Sequence, residues 1–131
     1  MKYLLDTEVW LWSLSEPDRL NSRAKKLLAD GTQEIYLSAA SSWEIAIKYA
    51  LGKLALPEPP DHYVTQRMTA QGLHALTISH DHALRVYALP RHHKDPFDRL
   101  LIAQAEAEGL TLLTADAAFK DYGVKLVWCG R

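Results

Sequence analysis

The feature that most constrains this chain is an alternation of short apolar runs with longer helical stretches. Lys2–Leu5, Glu34–Leu37, His74–Thr77, Leu110–Leu113 and Lys125–Trp128 have the length and content of strands. Helical stretches fall between them. Thr7–Leu14 is too apolar for a surface loop and is broken by Pro17. Asn21 or Ser22 caps a helix through Ala29, closed by Gly31. Ser41-Ser42-Trp43-Glu44 reads as a capping box opening a helix that ends at Gly52. Pro60–Gln71 is stopped by Gly72, and His80–Leu89 is capped by Ser79 and ended by Pro90. Asp95–Glu108 is the clearest helix, with Gly109 as its stop, and Asp116–Lys120 is a short one. Strands alternating with helices predict an α/β fold: a parallel sheet of four to five strands flanked by helices. In such sheets ligands gather beyond the carboxyl ends of the strands.

The 131 residues predict one domain over 1–131. Pro57, Pro59 and Pro60 read as a loop, because neither side alone holds enough strands for a sheet. Fifteen Lys+Arg against sixteen Asp+Glu give a net charge of −1. That excludes a protein that finds nucleic acid or membrane by bulk positive charge, and leaves local patches open. The single cysteine, Cys129, excludes an intramolecular disulfide and metal sites built on Cys pairs. The N-terminus reaches Asp6 too early for a signal peptide, and no stretch is long enough to span a membrane. The expectation is a reduced, soluble, cytoplasmic protein.

Four carboxylates share one type of position. Asp6 follows the first strand, and Asp116 follows the fourth after Thr114-Ala115. Glu44 lies one turn into the helix after the second strand, and Asp98 in the first turn of the Asp95 helix. Each has a structural reading as a cap or as an acid favoured by a helix N-terminus. Together, at one sheet edge, they would repel one another unless a cation joined them. Mg²⁺ and Mn²⁺ are the ions suited to carboxylates and water.

Leu4-Leu5-Asp6-Thr7, Glu44, Asp98 leading Leu101-Ile102-Ala103-Gln104-Ala105, and Leu113-Thr114-Ala115-Asp116-Ala117-Ala118-Phe119 resemble the PIN domain in order and spacing. His92-His93-Lys94-Asp95-Pro96-Phe97-Asp98-Arg99 is similar to a run in a subgroup of VapC-type toxins. The resemblance implies a three-layer sandwich and a Mg²⁺- or Mn²⁺-dependent endoribonuclease with one or two ions. Asp6, Glu44, Asp98 and Asp116 would be both catalytic and metal-holding, with Asp6 and Asp98 the direct ligands. Thr7 and Thr114 would support the acids from behind. A metal-activated water would hydrolyse RNA, leaving 5′-phosphate and 3′-hydroxyl ends. The implied partners are RNA, a cognate antitoxin and a second copy of the chain, with no membrane. Free of antitoxin, such a toxin inhibits translation or growth. With the four acids set aside, twelve acids face fifteen bases, a mildly basic body around an acidic site.

Arg91, His92, His93, Lys94 and Arg99 form the densest basic segment and are candidates for RNA phosphates. Asp95 reads as a helix cap rather than a ligand. His80 and His82 read as surface residues. Trp10, Trp12, Trp43 and Tyr49 read as core. An aspartate-nucleophile phosphatase would want Asp-x-Asp after the first strand, where this chain has Asp6-Thr7-Glu8. A receiver domain would want a lysine after its last strand, and Lys125 begins that strand. The alternative on the same fold is a non-catalytic RNA-binding or interaction module, which would tolerate loss of the acids.

Overall fold

The computed structural model describes residues 1–92 and 94–131; the expectation for His93 lies outside them. Five parallel strands form one sheet in the order β3-β2-β1-β4-β5. They are β1 (Lys2–Leu5), β2 (Glu34–Ser38), β3 (His74–Leu76), β4 (Thr111–Thr114) and β5 (Leu126–Trp128). The helices are α1 (Thr7–Ser15), α2 (Ser22–Ala29), α3 (Ala39–Ala50), α4 (Pro60–Gln71), α5 (His80–Arg85) and α6 (Pro96–Glu108). The sheet draws strands from both sides of the proline cluster.

Side chains alternate across each strand and divide the core in two. Tyr3, Leu5, Ile35, Leu37, Leu113 and Val127 face Val9 and Trp10 of α1, Ala24 of α2 and Tyr63 and Val64 of α4. Leu4 and Leu112 face the other way, against Leu101, Ile102 and Ala105 of α6 and Phe119. Leu4, Leu5, Leu112 and Leu113 are fully buried, as expected of central strands covered on both faces. Helix α3 gives Ile45 to the first core and Ala40 to the second.

Strand order matters most for the site. The chain leaves β1 towards β2 and β3, then returns to β4 on the other side of β1. The topological switch point therefore lies between β1 and β4, where an open parallel sheet leaves a crevice. Asp6 and Asp116 follow those two strands.

Several local expectations are corrected. Helix α3 begins at Ala39, not at Ser41. Strand β2 runs straight into it, and the Ser38 hydroxyl caps it by accepting the Ala40 N–H at 2.9 Å. Helix α2 is capped by Asn21 and ends at Ala29 with Asp30 as its C-cap, so Gly31 is not its stop. The 80–89 run tightens into a 3₁₀ turn at Val86–Ala88 before Pro90. Asp116 precedes a 3₁₀ segment, Ala117–Tyr122. His82 is 3% exposed and belongs to the interior. Its Nδ1 accepts the Ser79 N–H at 3.1 Å, and Nε2 lies 2.8 Å from Glu108 Oε2. Trp43 is 57% exposed and meets Phe97 edge-on rather than entering the core. Among the described residues no helix is long and apolar enough to cross a membrane.

Candidate active site

The switch-point crevice opens into a cavity of about 490 Å³ lined by Asp6, Glu44, Asp98 and Asp116 together. Four separate elements deliver them: the end of β1, helix α3, the first turn of α6 and the segment after β4. Asp95 and Glu8 line it too.

Cap geometry separates the acids. Asp6 occupies the N-cap position of α1 yet makes no capping bond. Its Oδ2 instead accepts the Thr114 hydroxyl at 2.8 Å. Asp95 caps α6, its Oδ1 accepting the N–H groups of Phe97 and Asp98. That agrees with its reading as a cap. Asp98 stands three residues further on, inside the first turn. Asp116 is also a cap, with Oδ1 accepting the Ala118 N–H at 2.9 Å. Glu44 is buried on α3; Oε2 accepts from Lys48 Nζ at 2.6 Å, and Oε1 is buried with no hydrogen-bond partner among the described residues.

Burial and the charges around them make two of these carboxylates, Asp6 and Asp98, hard to ionise. Asp6 is pushed up to about 7, first by desolvation and then by the charges of Glu44, Glu8 and Asp116, against the opposing Thr114 hydrogen bond. Asp98 is pushed up to about 8 by desolvation, followed by Asp6, Asp95, Glu44 and Asp116. Lys48 is held more firmly protonated by its hydrogen bond to Glu44.

An all-oxygen donor set with a buried, unpartnered carboxylate oxygen among the described residues, and with Asp6 and Asp98 held back from ionising, fits a hard divalent cation. Among the described residues no three His, Cys, Asp or Glu side chains are drawn tightly enough together to clasp one ion already.

The supporting residues differ from expectation in one respect. Thr114 does bond Asp6, but Thr7 donates to Ser41 Oγ at 2.7 Å and so ties α1 to α3. Ser38 Oγ donates to Gln104 Oε1 at 2.5 Å, tying the start of α3 to α6. The sequence pointed to neither of these bonds, since Ser41 read as a helix cap and the partners of Ser41 and Gln104 lie far along the chain.

The described members of the basic segment stay away from this cavity. Arg91 and Lys94 are exposed, and His92 stacks edge-on against Tyr122. Arg99 donates to the carbonyls of Val86, Leu89 and Pro90, which binds the end of the 3₁₀ turn to α6. Two lysines line the cavity instead, Lys48 and Lys53. Lys48 was detectable as Glu44 plus one helical turn. Trp12 also lines it, with Arg19 over its ring, whereas Trp10 is core.

The PIN-domain profile matches residues 3–125, nearly the whole chain. The chain belongs to the PIN-domain family. Among relatives of this PIN domain, ribonuclease VapC16 of Mycobacterium tuberculosis (strain ATCC 25618 / H37Rv) is 46% identical over 61 residues. That match covers 47% of this chain and 43% of VapC16, less than half the relative's length. Ribonuclease VapC22 of the same organism is 29% identical over 120 residues, 91% of this chain and 90% of VapC22. The PIN domain also superposes on VapBC2 from Rickettsia felis, solved bound to a DNA fragment from its promoter. There the TM-score is 0.74 at 20% identity, covering 98% of this chain and 99% of the other. DNA-bound VapBC from Salmonella typhimurium gives a TM-score of 0.71 at 16% identity over 97% of each chain. At these identities the superpositions establish the fold.

Proposed function

We propose that this PIN domain is a Mg²⁺- or Mn²⁺-dependent endoribonuclease that acts as the toxin of a toxin–antitoxin pair. The observation that carries this reading is the convergence of Asp6, Glu44, Asp98 and Asp116 on one cavity at the switch point. The relatives named as ribonucleases and the toxin–antitoxin complexes among its structural neighbours support it. By the same reasoning a cognate antitoxin covers the site in the resting cell, and growth or translation suffers when it is removed.

Asp6 and Asp98 would hold the ion, with Glu44 and Asp116 completing the set. A divalent cation held at this place would supply a lowered pKa for water and positive charge against a phosphoryl group. The chain's own contribution is placement. Thr114 fixes the Asp6 carboxylate, the N-terminal turn of α6 carries Asp98, and Thr7–Ser41 and Ser38–Gln104 hold α3 so that Glu44 faces the cavity. No Ser or Cys nucleophile is required: water is the nucleophile, the P–O3′ bond breaks and the 3′-oxygen leaves with a proton, so the products carry 5′-phosphate and 3′-hydroxyl ends.

The test is incubation of the protein with total RNA, with and without EDTA, beside the Asp6→Asn variant. Wild-type protein should cleave only with divalent cation. Loss of several kcal/mol of charge stabilisation should lower Asp6→Asn activity by about 1,000-fold. Normal cleavage by a folded Asp6→Asn protein would sink the site assignment.

A further inference from the structure

Phosphate has to approach a cavity walled by acids, and the positive charge available there comes from one edge. Among the described residues, Lys48 and Lys53 are the only cationic residues lining the cavity. Lys48 lies in the last turn of α3 and Lys53 three residues past its end. Lys48 lies one turn past Glu44, on the same helix face. Gly52, at φ +72°, turns the chain back, and the Lys53 N–H donates to the Lys48 carbonyl at 2.8 Å. This helix-ending closure brings both lysines to the same rim.

The lysines differ in their surroundings. Lys48 pairs with Glu44 but keeps half its side chain exposed, and an ammonium has three donors of which Glu44 takes one. Lys53 is exposed and makes no ion pair among the described residues, so neutralising an acid does not account for it. The described basic residues near 91–99 do not line the cavity, and Arg99 is occupied by main-chain carbonyls. We propose that Lys48 and Lys53 form a phosphate-binding rim that grips the RNA backbone beside the cleaved bond and positions the strand across the acids. The proposal rests on the ribonuclease reading.

The experiment compares wild type, Lys48→Met, Lys53→Met and the two Lys→Arg variants. Cleavage of a labelled single-stranded RNA pool is followed by steady-state kinetics with Mg²⁺. Binding of the same pool is followed by fluorescence anisotropy across a salt series, in an Asp98→Asn background with Mg²⁺. Each Met variant should raise KM about 5- to 10-fold, as expected for a lost charged contact, with kcat changed less than about 2-fold. Each should also shallow the slope of log affinity against log salt by about 0.7, and the Arg variants should restore both. Unchanged KM and salt slope in Lys53→Met would overturn the rim. So would a Lys48→Met defect cured by more Mg²⁺ at an unaltered slope, which would assign Lys48 to Glu44 and the ion. A wild-type protein that neither cleaves nor binds RNA overturns the ribonuclease reading itself, and the rim with it. Cleavage that is intact and indifferent to the lysines overturns the rim alone.

Discussion

Thr114 donates its hydroxyl hydrogen to Asp6 Oδ2 at 2.8 Å, while its oxygen accepts the Asp116 N–H at 3.1 Å. One buried hydroxyl at the end of β4 therefore orients an acid of β1 and the backbone of a second acid. The adjacency of β1 and β4 makes this possible, with Leu5 in register with Leu113.

Removing that hydroxyl should disturb the site more than the fold. Thr114→Val keeps the shape but leaves the Asp6 carboxylate and the Asp116 N–H unpartnered. Cleavage should fall about 10- to 100-fold, the usual effect of losing a group that orients a ligand. Stability should fall by roughly 1–3 kcal/mol, and Thr114→Ser should recover most of both. Paired kinetics and thermal melts decide it; a Val variant as active as wild type contradicts the orienting role.

Without divalent cation, stability should decline as pH rises from about 4 to 8. The sign follows from the raised values of Asp6, about 7, and Asp98, about 8, against an ordinary 3.8. Between those limits the folded state keeps protons that the unfolded chain has released, so folding is favoured at the acid end. Melting in EDTA should show this decline, shallower in Asp98→Asn, because that variant has one titrating acid fewer. Added Mg²⁺ should stabilise the protein more at pH 8 than at pH 5. A wild-type slope no steeper than that of Asp98→Asn would refute it.

Cys129 should be inert in the native protein. It is fully buried, and its thiol is pushed up to about 11, first by burial and then by the negative charge of Asp6. A thiolate is the reactive form, so alkylation at pH 8 should proceed only through unfolding and accelerate in denaturant. Complete labelling within minutes in native buffer would contradict this packing.

Asn21 should matter well beyond its helix. Its Oδ1 caps α2 by accepting the Ala24 N–H, and its Nδ2 donates to the carbonyls of Trp128 and Gly130. Asn21→Ala loses the cap and the tie to the chain beyond β5. The expected cost is about 1–2 kcal/mol in urea unfolding. Asn21→Asp, which keeps the capping oxygen but loses the two donated bonds, should fall between wild type and Ala.

The alternation of strands and helices was legible because each segment's period and stop signals lie within a few residues. Asn21, Gly72, Asp95 and Gly109 mark their helix ends by local chemistry. Ser41 misled because a serine three residues before a glutamate satisfies the capping-box pattern, while β2 feeds Ser38 into the cap position instead. His82 misled because Ser79 and Asp81 make its neighbourhood look polar, and only the packing of α5 on α6 buries it. Trp43 misled in the opposite direction, since a large apolar ring on a helix is ordinarily inside.

The four acids, their order and their family resemblance were determined by the sequence alone, because residue identity and spacing along the chain are local facts. That Asp95 and Asp116 cap their segments while Asp6 bonds Thr114 instead was decided by tertiary structure. That Lys48 and Lys53 line the cavity, and Arg91, His92, Lys94 and Arg99 do not, is likewise a tertiary outcome. The physical reason is strand order. Placing β4 beside β1 opens the crevice that gathers residues from positions 6, 44, 98 and 116, and burial at that crevice raises the proton affinity of Asp6 and Asp98. Neither effect is written in the spacing of any one segment.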